Sequence, residues 1–561
     1  MKLKEIPYKR PDVDQIIGTI NTLKTEFEKA ESAAVQLEIF KKYEEARGHY
    51  DTYSCLSNIR NSMDSFDPFY IAEQEFYDTV SPRVTQAVNS FNEAVLGSRF
   101  KAELKEVLGS YYFDCMDMQQ KTFSEDIMDL MAEENRLCTE YEQLYASAIV
   151  DFDGRKINLS QLAAYMQNPD REIRKAAVLA DAKFFEDNRE KFDIIYDKLV
   201  KNRDLQAKKL GFDNYMQVAY LKRKRAYSPE DVANFRQQIL DVIVPKNVEY
   251  KKAQAEAIGV EDFRFYDDDF AFPDGNPKPK YSPDEILKLC KQMFGEMSAE
   301  TKELIDLMYD NELFDIAPRN GKRAAGYCVT IHDYGYPFIF FNANGTQGDI
   351  KTLTHECGHA LAAYTTQKEI EYSSIRHAAM EACETHSMSM EFLSSPWHHL
   401  FFEEDAAKYS EYLAKSALYF IPYGIIVDYF QELVYTHPEW TPDERNAAWL
   451  ELENTYIPYN NFEGLPFYSR GGRWQKKIHI YAMPFYYIDY SVAQTLALQF
   501  FSMYLTDEKS AWEKYMKFVK AGGKMNLFET IDACGMTSVF RDGALAEICK
   551  PVFEWIDNLK K

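Results

Sequence analysis

The chain has 561 residues, enough for more than one domain and for a sizeable buried core. Hydrophobic residues make up 46% and charged residues 27%, a balance typical of a soluble globular protein rather than a disordered one. Nucleic acids and anionic membranes need a basic surface on their protein partners, so a net charge of −24 argues against both.

Cysteine usage and the opening residues bear on the compartment. The nine cysteines are odd in number, and no two are spaced as CxxC, so neither a disulfide framework nor a structural zinc knuckle is expected. The opening segment MKLKEIPYKRPDVDQ has no apolar core, and no uninterrupted apolar run is long enough for a membrane span. These features predict a cytoplasmic protein.

The first half of the chain has mostly helical patterning, from about Val13 to Val260. In Arg174–Leu199, for example, apolar residues recur at helical spacing among charges. The segment 267–280 (DDDFAFPDGNPKPK) contains three prolines and a glycine and is expected to be a loop, either a domain linker or an excursion over one lobe. Three helix starts combine an N-cap residue, a proline and an acid, at Ser228, Ser282 and Thr441.

Strand-like sequence is concentrated in one short region. Gly326–Ile331 and Pro337–Asn342 are rich in β-branched and aromatic residues and flank a turn, which is typical of a hairpin. The helical pattern resumes after Asn344 and Gly345. The sequence therefore predicts a mainly α protein with one small sheet just ahead of the next helix.

That helix, Asp349–Thr365, carries the sequence HECGH. His355 and His359 are four residues apart, on one helix face and about 6 Å apart along the axis, so both imidazoles can reach one cation. Two neutral imidazoles suit Zn²⁺, which lowers the pKa of bound water towards about 7 when one coordination position stays open. Glu356 is placed to take a proton from that water during attack on an amide and to pass it to the leaving nitrogen.

A third ligand is expected from the next predicted helix, Ala378–Ser395. His386 is less favoured because it lies two residues from Glu384 and so near the opposite helix face, and His377 is expected to be a surface or structural residue. The other candidate ligands are Glu381, Glu384 and Glu391.

The spacing of these residues resembles the thimet oligopeptidase / oligoendopeptidase F family of zinc peptidases. HECGH is followed by 24 residues and then by Glu384, in the string ETHSMSMEF. In that family the third zinc ligand is followed by a serine three places on and a glutamate seven places on, which Ser387 and Glu391 match. The resemblance therefore implies Glu384 as the ligand, and leaves Glu381 as either a partner of a ligating histidine or a solvated acid.

The resemblance extends over most of the chain and is most specific between Gly321 and Tyr490. It implies two helical lobes enclosing a deep substrate channel, with the small sheet next to the HExxH helix, as in a gluzincin-type zinc peptidase with one Zn²⁺ per chain. We expect 1–190 to form an N-terminal helical lobe and 191–561 the catalytic region, with an approximate boundary.

A second candidate patch lies in His479–Gln494. Amide hydrolysis places negative charge on the former carbonyl oxygen, and imidazole or tyrosine donors aimed at that oxygen would stabilise it. Relatives carry a histidine followed by clustered tyrosines in this role. His479 matches the histidine, and Tyr487 and Tyr490 keep the family's three-residue separation, although Tyr486 is not excluded. The alternative is an aromatic core helix.

Four other segments each allow two interpretations. Tyr468–Arg473 is either a mobile glycine-rich loop over the substrate, as in relatives, or an ordinary surface loop. Lys222–Arg225 is expected to be a solvated helix face rather than a contact for a peptide carboxylate. Cys357 is expected to pack inward. The strand PFIFFN, within 337–342, either adds an extended substrate to its edge or is a covered internal strand.

Together these features predict a zinc-dependent endopeptidase for short peptides, with Glu356 as general base and then acid. The size limit comes from the resemblance alone. One alternative is an exopeptidase or a specialised processing peptidase on the same zinc site, and another is a catalytically silent peptide-binding protein. The intact general base argues against the silent binder. The expected metal ligands are His355, His359 and Glu384, and the expected oxyanion donors are His479, Tyr487 and Tyr490, with Tyr486 as a further candidate.

Overall fold

The computed structural model describes residues 1–559, and nearly all of their regular structure is helical. This confirms the mainly α class predicted from the periodicity. Within these residues, no helix is both long enough and apolar enough to cross a lipid bilayer.

The chain forms two units, each built from three chain segments. Unit 1 comprises Met1–Asp117, Lys278–Ala406 and Met503–Met536, and unit 2 comprises Met118–Pro277, Ala407–Ser502 and the segment from Thr537 onward. The chain passes from unit 2 to unit 1 inside the loop 267–280, as expected for a linker. Neither unit coincides with the contiguous ranges 1–190 and 191–561. The assignment of an N-terminal lobe to 1–190 and of the catalytic region to 191–561 stays a prediction.

Unit 1 surrounds an apolar core to which Phe27, Phe40, Phe91 and Ile370 contribute. Its α-helices are Val13–Lys29, Ala33–Met63, Pro68–Leu96, Lys101–Leu108, Ser110–Lys121, Pro283–Met297, Ala299–Asp310, Gly348–Glu369, Met380–Leu393, His398–Phe402, Glu508–Lys520 and Leu527–Ala533.

Unit 2 contains the remaining helices, and a π-helical turn at Ile239–Ile243 joins two of them. Its α-helices are Met128–Ala146, Leu159–Ala163, Arg171–Asp187, Arg189–Lys209, Tyr215–Lys222, Pro229–Gln238, Val244–Ala257, Ala406–Thr436, Pro442–Tyr456, Pro466–Ser469, Ile478–Ala482, Tyr487–Thr506 and Ala544–Asn558.

Helix boundaries follow the local capping chemistry. The Ser228 hydroxyl accepts a hydrogen bond from the Asp231 amide (3.2 Å), and the Asp231 carboxylate accepts one from the Ser228 amide (2.7 Å). Equivalent capping boxes start the helices after Ser282 and Thr441, so all three predicted starts are confirmed. The helical pattern of 174–199 is interrupted at Asn188, whose side-chain amide donates to the Phe184 carbonyl (2.9 Å).

The predicted hairpin is present in unit 1 and gains a third strand. Tyr327–Ile331 pairs antiparallel with Tyr336–Phe340, and Phe314–Asp315 pairs parallel with the other edge of Tyr336–Phe340. The strand within PFIFFN is therefore the central strand of the sheet. This confirms the alternative of a covered internal strand and excludes the alternative in which an extended substrate pairs with its free edge. The two edge strands of the sheet are Phe314–Asp315 and Tyr327–Ile331.

A second hairpin in unit 2 was not predicted. Ile149–Phe152 pairs with Arg155–Asn158 across Asp153 and Gly154, both of which have positive φ (51° and 70°). An Asp-Gly pair between short alternating segments is a strong sequence signal for such a turn, although helical patterning surrounds it on both sides.

Two adjacent helices of unit 1 approach each other closely at Gly358. We name them the His355 helix (Gly348–Glu369) and the Glu384 helix (Met380–Leu393). A Cβ atom at Gly358 would lie 2.7 Å from both the His386 carbonyl oxygen and the Ser387 Cα, so a larger residue would push the helices apart. Packing therefore requires glycine at the fourth position of the HECGH sequence.

Gly358→Ala is expected to lower the free energy of unfolding by about 1–3 kcal/mol, because backbone rather than a flexible side chain occupies the space of the new methyl group. Gly295→Ala is the matched control, since nothing lies within 4 Å of a Cβ at that helical position. It should stabilise the protein by about 0.5–1 kcal/mol through helix propensity. Urea unfolding of both variants tests this, and equal effects would contradict it.

Candidate metal centre

The start of the His355 helix is fixed by a carboxylate in its first turn. The Asp349 carboxylate accepts hydrogen bonds from the backbone amides of Asn344 (2.9 Å) and Gly345 (2.8 Å), where Gly345 has a φ of +77°. These bonds turn the chain out of the sheet and into the helix, which sets the rotation of the HECGH face.

Two imidazoles and one carboxylate converge between the His355 helix and the Glu384 helix. The Nε2 atoms of His355 and His359 lie 3.4 and 3.6 Å from Oε2 of Glu384. One ligand atom from each residue lies within 4.8 Å of the others, and the two imidazole rings are nearly perpendicular. The structure thus brings together the three predicted metal ligands.

Glu391 orients the first imidazole. Its Oε1 lies 2.8 Å from Nδ1 of His355, while Lys351 Nζ lies 3.7 Å from its other carboxylate oxygen. A carboxylate on Nδ1 favours the tautomer that leaves Nε2 as a lone-pair donor facing the cluster. The family resemblance identified Glu391 as part of the pattern but assigned it no role. Its position two helical turns after Glu384 places both residues on one helix face, and this spacing could have indicated that Glu391 also faces the histidines.

Glu384 is itself held by its own helix. The Ser387 hydroxyl lies 3.3 Å from Oε2 of Glu384 and donates to the Glu384 backbone carbonyl (2.9 Å). The side chain of Glu384 is buried, so this contact limits its rotamers on the face that meets the imidazoles.

Glu356 lies beside the cluster and has an altered acidity. Its side chain is buried, and burial raises its pKa to about 7, although His355 acts in the opposite direction. The nearby Glu384 and Glu391 carboxylates also raise this pKa. A carboxylate with a pKa close to neutrality both accepts and returns a proton efficiently at physiological pH.

The other acids and histidines of this region lie outside the cluster. Glu381 is buried, which corrects the alternative that it is a solvated acid. His386 is also buried, and its ring packs edge-on against Phe518 (5.5 Å). His377 is exposed, as expected for a surface residue.

Cys357 packs inward from the His355 helix, as predicted. Its side chain is buried, and burial raises the pKa of its thiol far above the ordinary value, with a hydrogen bond to Cys290 adding to this effect. The thiol is therefore protonated at neutral pH and is not among the metal-ligating atoms of the cluster.

The predicted oxyanion residues form an aromatic cluster within unit 2. The His479 ring lies 4.9 Å from that of Tyr487 and 6.1 Å from that of Tyr490, and it stacks parallel to Tyr486 at 5.7 Å. Tyr487 and Tyr490 share one face of their helix, with ring centroids 5.5 Å apart. All four residues are therefore neighbours. Because His479 and Tyr490 are only half-buried, the cluster reaches solvent and is not simply an aromatic core helix.

Lys477 is a charged member of this cluster that the sequence analysis missed. Its ammonium group donates to the Tyr487 hydroxyl (3.2 Å) and lies 5.2 Å from the centre of the Tyr423 ring. A neighbouring ammonium group lowers the pKa of Tyr487, although burial outweighs it and the net shift is upward. In the sequence, Lys477 lies two residues before His479 and directly after another lysine, Lys476, so its position alone does not single it out.

Two expectations about unit 2 need correction. Arg225 is not on a solvated helix face: it is buried, and its Nη2 lies 3.6 Å from both Asp428 and Asp489. The segment Tyr468–Arg473 is not an ordinary surface loop, because its glycines are buried and a Cβ at Gly471 would lie 2.0 Å from the Asn446 carbonyl oxygen; its movement over a substrate stays a prediction. Sequence periodicity could not reveal either feature, because the partners lie far along the chain.

The cluster in unit 1 fits a divalent metal ion. Two imidazole nitrogens and one carboxylate oxygen are a ligand set that leaves a coordination position open for water or substrate. Glu391 and Ser387 supply the outer hydrogen bonds that such ligands need. His355, His359 and Glu384 are the residues that would hold the ion.

Comparisons with known proteins agree with this site. A family profile described as Peptidase family M3 matches residues 164–548, and one described as the Peptidase M3 N-terminal domain matches residues 3–123. Oligoendopeptidase F, chromosomal, from Lactococcus lactis subsp. cremoris is 24% identical over 221 residues, or 39% of this chain. The match spans 36% of that curated relative, about a third of its length.

Two solved structures match the whole chain. PZ peptidase A with an inhibitor is 40% identical and covers 99% of both chains, with a TM-score of 0.93. A protein from Bacillus anthracis str. Ames, described as an oligoendopeptidase F, is 40% identical, with a TM-score of 0.89 and coverage of 100% of this chain and 99% of its own. Because the M3 profile covers more than half of the sequence and these structures cover nearly all of it, the chain belongs to Peptidase family M3, the family of metallopeptidases to which its HECGH and ETHSMSMEF strings pointed.

Proposed function

We propose that this protein is a zinc-dependent endopeptidase that hydrolyses internal bonds of short peptides. The observation that carries the proposal is the convergence of His355, His359 and Glu384, with Glu391 behind His355 and Glu356 beside the cluster. Zinc is favoured over other divalent ions because two imidazoles and one carboxylate are its usual catalytic ligand set. When bound, the ion supplies Lewis-acid chemistry and lowers the pKa of a water molecule.

The residues of the chain divide the proton transfers and charge stabilisation between them. Glu356 takes a proton from the attacking water and returns it to the leaving amide nitrogen. His479, Tyr487 and Tyr490 donate hydrogen bonds to the oxygen that becomes negative in the transition state, with Tyr486 as a further candidate. Lys477 supports this by orienting the Tyr487 hydroxyl.

Peptides are the proposed partners, and the net charge of −24 argues against nucleic acids and anionic membranes. The cytoplasm stays the proposed compartment on the grounds of cysteine usage.

The first test is incubation with a decapeptide blocked at both ends, followed by mass spectrometry. Internal cleavage supports an endopeptidase. An intact blocked peptide that is cleaved once its termini are freed would instead indicate an exopeptidase.

Glu356→Gln is expected to lower kcat/KM by roughly 10²–10⁴-fold, because the amide cannot accept the proton of the attacking water. Metal content should be unchanged, since Glu356 is not one of the three ligands. Mass-spectrometric metal analysis and a fluorogenic peptide assay test both parts. Glu369→Gln, at the exposed end of the same helix, is the control and should behave as the wild type. Wild-type turnover by Glu356→Gln would refute the mechanism.

Glu384→Ala is expected to abolish zinc retention after dialysis, because two imidazoles alone leave the ion weakly held. Glu381→Gln is the matched comparison on the same helix and should retain the metal, since Glu381 lies outside the cluster. Zinc-to-protein ratios measured for both variants decide between the two glutamates. Full occupancy in Glu384→Ala, or loss in Glu381→Gln, would show that the ligand is misassigned.

Tyr487→Phe and Tyr490→Phe are each expected to lower kcat by roughly 10²-fold with little change in KM, because the lost hydrogen bond forms mainly in the transition state. Tyr486→Phe should have a smaller effect, since Tyr486 precedes the helix that carries the other two. Steady-state kinetics with one blocked peptide rank the three. A larger effect at Tyr486 would reassign the donor.

A further inference from the structure

A cavity of about 510 Å³ lies within unit 2, between the helices Val244–Ala257 and Ala406–Thr436 and the loop after Asp267. Its size is within the range of pockets that enclose a small ligand or a side chain. Aromatic side chains form much of its wall and are only half-buried, so their faces are open to the cavity: Phe272, Tyr419, Phe420 and Tyr423. We name it the Asp269 cavity, after the acid that lines it.

The wall of the Asp269 cavity is continuous with the aromatic cluster of His479. The Phe420 ring lies 5.7 Å from that of Tyr487 and 6.4 Å from that of Tyr490. The Tyr423 ring meets Tyr487 edge-on at 5.9 Å. A peptide whose reacting carbonyl reaches the Tyr487 hydroxyl therefore has a neighbouring residue next to this cavity.

The basic groups that line the cavity are all engaged by acids. Lys251 Nζ lies 2.5 Å from the Asp268 carboxylate, and Lys415 pairs with Glu411. Arg473 Nη1 lies 3.1 Å from the buried carboxylate of Glu453. These three pairs neutralise one another and leave no lining cation available for a ligand carboxylate.

Asp269 is different from these acids. Its side chain is exposed to the cavity, and its carboxylate makes no hydrogen bond or ion pair with another residue in the described part of the chain. The enclosing protein raises its pKa and the adjacent Asp268 carboxylate adds to this shift, while the more distant charges of Lys251, Arg473 and Lys476 lower the pKa without outweighing burial. A cation bound in the cavity would offset both effects.

The aromatic walls are suited to a cation as well. Lys251 Nζ already lies 4.1 Å from the centre of the Tyr419 ring, and the Arg473 guanidinium lies 4.6 Å from that of Tyr423. Aromatic faces attract cations through their quadrupole, most strongly where water is partly excluded.

We propose that the Asp269 cavity is a subsite for a cationic group of the substrate, either a lysine or arginine side chain or the ammonium group of the peptide N-terminus. Asp269 is the specificity-determining residue, and its carboxylate pairs with the bound cation. The inference rests on the proposed peptidase function and adds a preference for basic peptides to it.

A charge scan of blocked peptides tests this subsite. Lysine and its uncharged isostere norleucine are compared at each position on both sides of the cleaved bond. One lysine position should raise kcat/KM about tenfold over norleucine, as expected for one charge-assisted pair. In a second arm, peptides with free and acetylated N-termini are compared; a preference for the free terminus assigns the cation to the N-terminus instead.

At the preferred position, Asp269→Asn should reduce the ratio of kcat/KM for lysine to kcat/KM for norleucine to about one. The substitution removes the charge while keeping the shape of the side chain. Glu261→Gln removes one charge from an exposed position earlier in the same unit and should keep the ratio. Thermal melting verifies that both variants fold. The same lysine-to-norleucine comparison, made by calorimetric binding to Glu356→Gln, needs no turnover.

The outcomes separate the two proposals. Failure to cleave any peptide contradicts the proposed function, while the binding comparison still decides the subsite. Cleavage without a preference for any cation, a preference for acidic residues, or a ratio that Asp269→Asn leaves intact would each overturn the subsite alone.

Discussion

The site in unit 1 depends on how closely two helices approach each other. The carboxylate of Glu384 reaches the imidazoles of His355 and His359 because Gly358, between the histidines, lets the backbone at His386 and Ser387 come within van der Waals contact. A methyl group there would displace the ligand-bearing backbone by a distance comparable to the tolerance of a metal site. The same few residues thus supply both the ligands and the contact that positions them.

The aromatic cluster of unit 2 depends on a different constraint, a buried charge network. Arg225 lies near Asp428 and Asp489 and donates to the backbone carbonyl of Phe485, a residue held at a φ of +61°. The Phe485 amide donates to the side chain of Gln431 (3.0 Å). Left-handed backbone at a bulky residue costs free energy and persists only where the surroundings fix it. This network therefore holds the turn between His479 and Tyr487.

The sequence predicts what is encoded locally and misses what depends on distant partners. The capping boxes at Ser228, Ser282 and Thr441 and the HECGH spacing are each contained in a few consecutive residues, and all were predicted. The choice of Glu384 as the third ligand also required the family pattern, because Glu381 is a glutamate on the same helix and residue type alone does not distinguish the two. The orienting role of Glu391 and the contact of Lys477 with Tyr487 require knowledge of which helices are neighbours.

Arg225 shows most clearly why a local pattern can mislead. Within the sequence KRKR it is one of four similar basic residues, and a charge run of this kind is usually a solvated face. Its burial is decided by Asp428 and Asp489, more than two hundred residues further on, and no periodicity within the run distinguishes it. Tyr227, two residues later, donates to Asp489 (3.2 Å) and completes the network.

The charge balance around the HECGH sequence explains why this arrangement suits a metal ion better than a purely structural role. Glu356, Glu384 and Glu391 place three buried carboxylates beside two imidazoles, with Lys351 contacting only the outermost of them. Buried like charges are costly unless they are paired or coordinate a cation, and burial, together with the nearby Glu384 and Glu391 carboxylates, raises the pKa of Glu356. A divalent ion held by His355, His359 and Glu384 would neutralise the excess, and it would leave Glu356 as the one carboxylate that is neither a ligand nor bonded to a ligating histidine. The residue best placed to carry a proton is thus the one that the packing of the cluster leaves uncommitted.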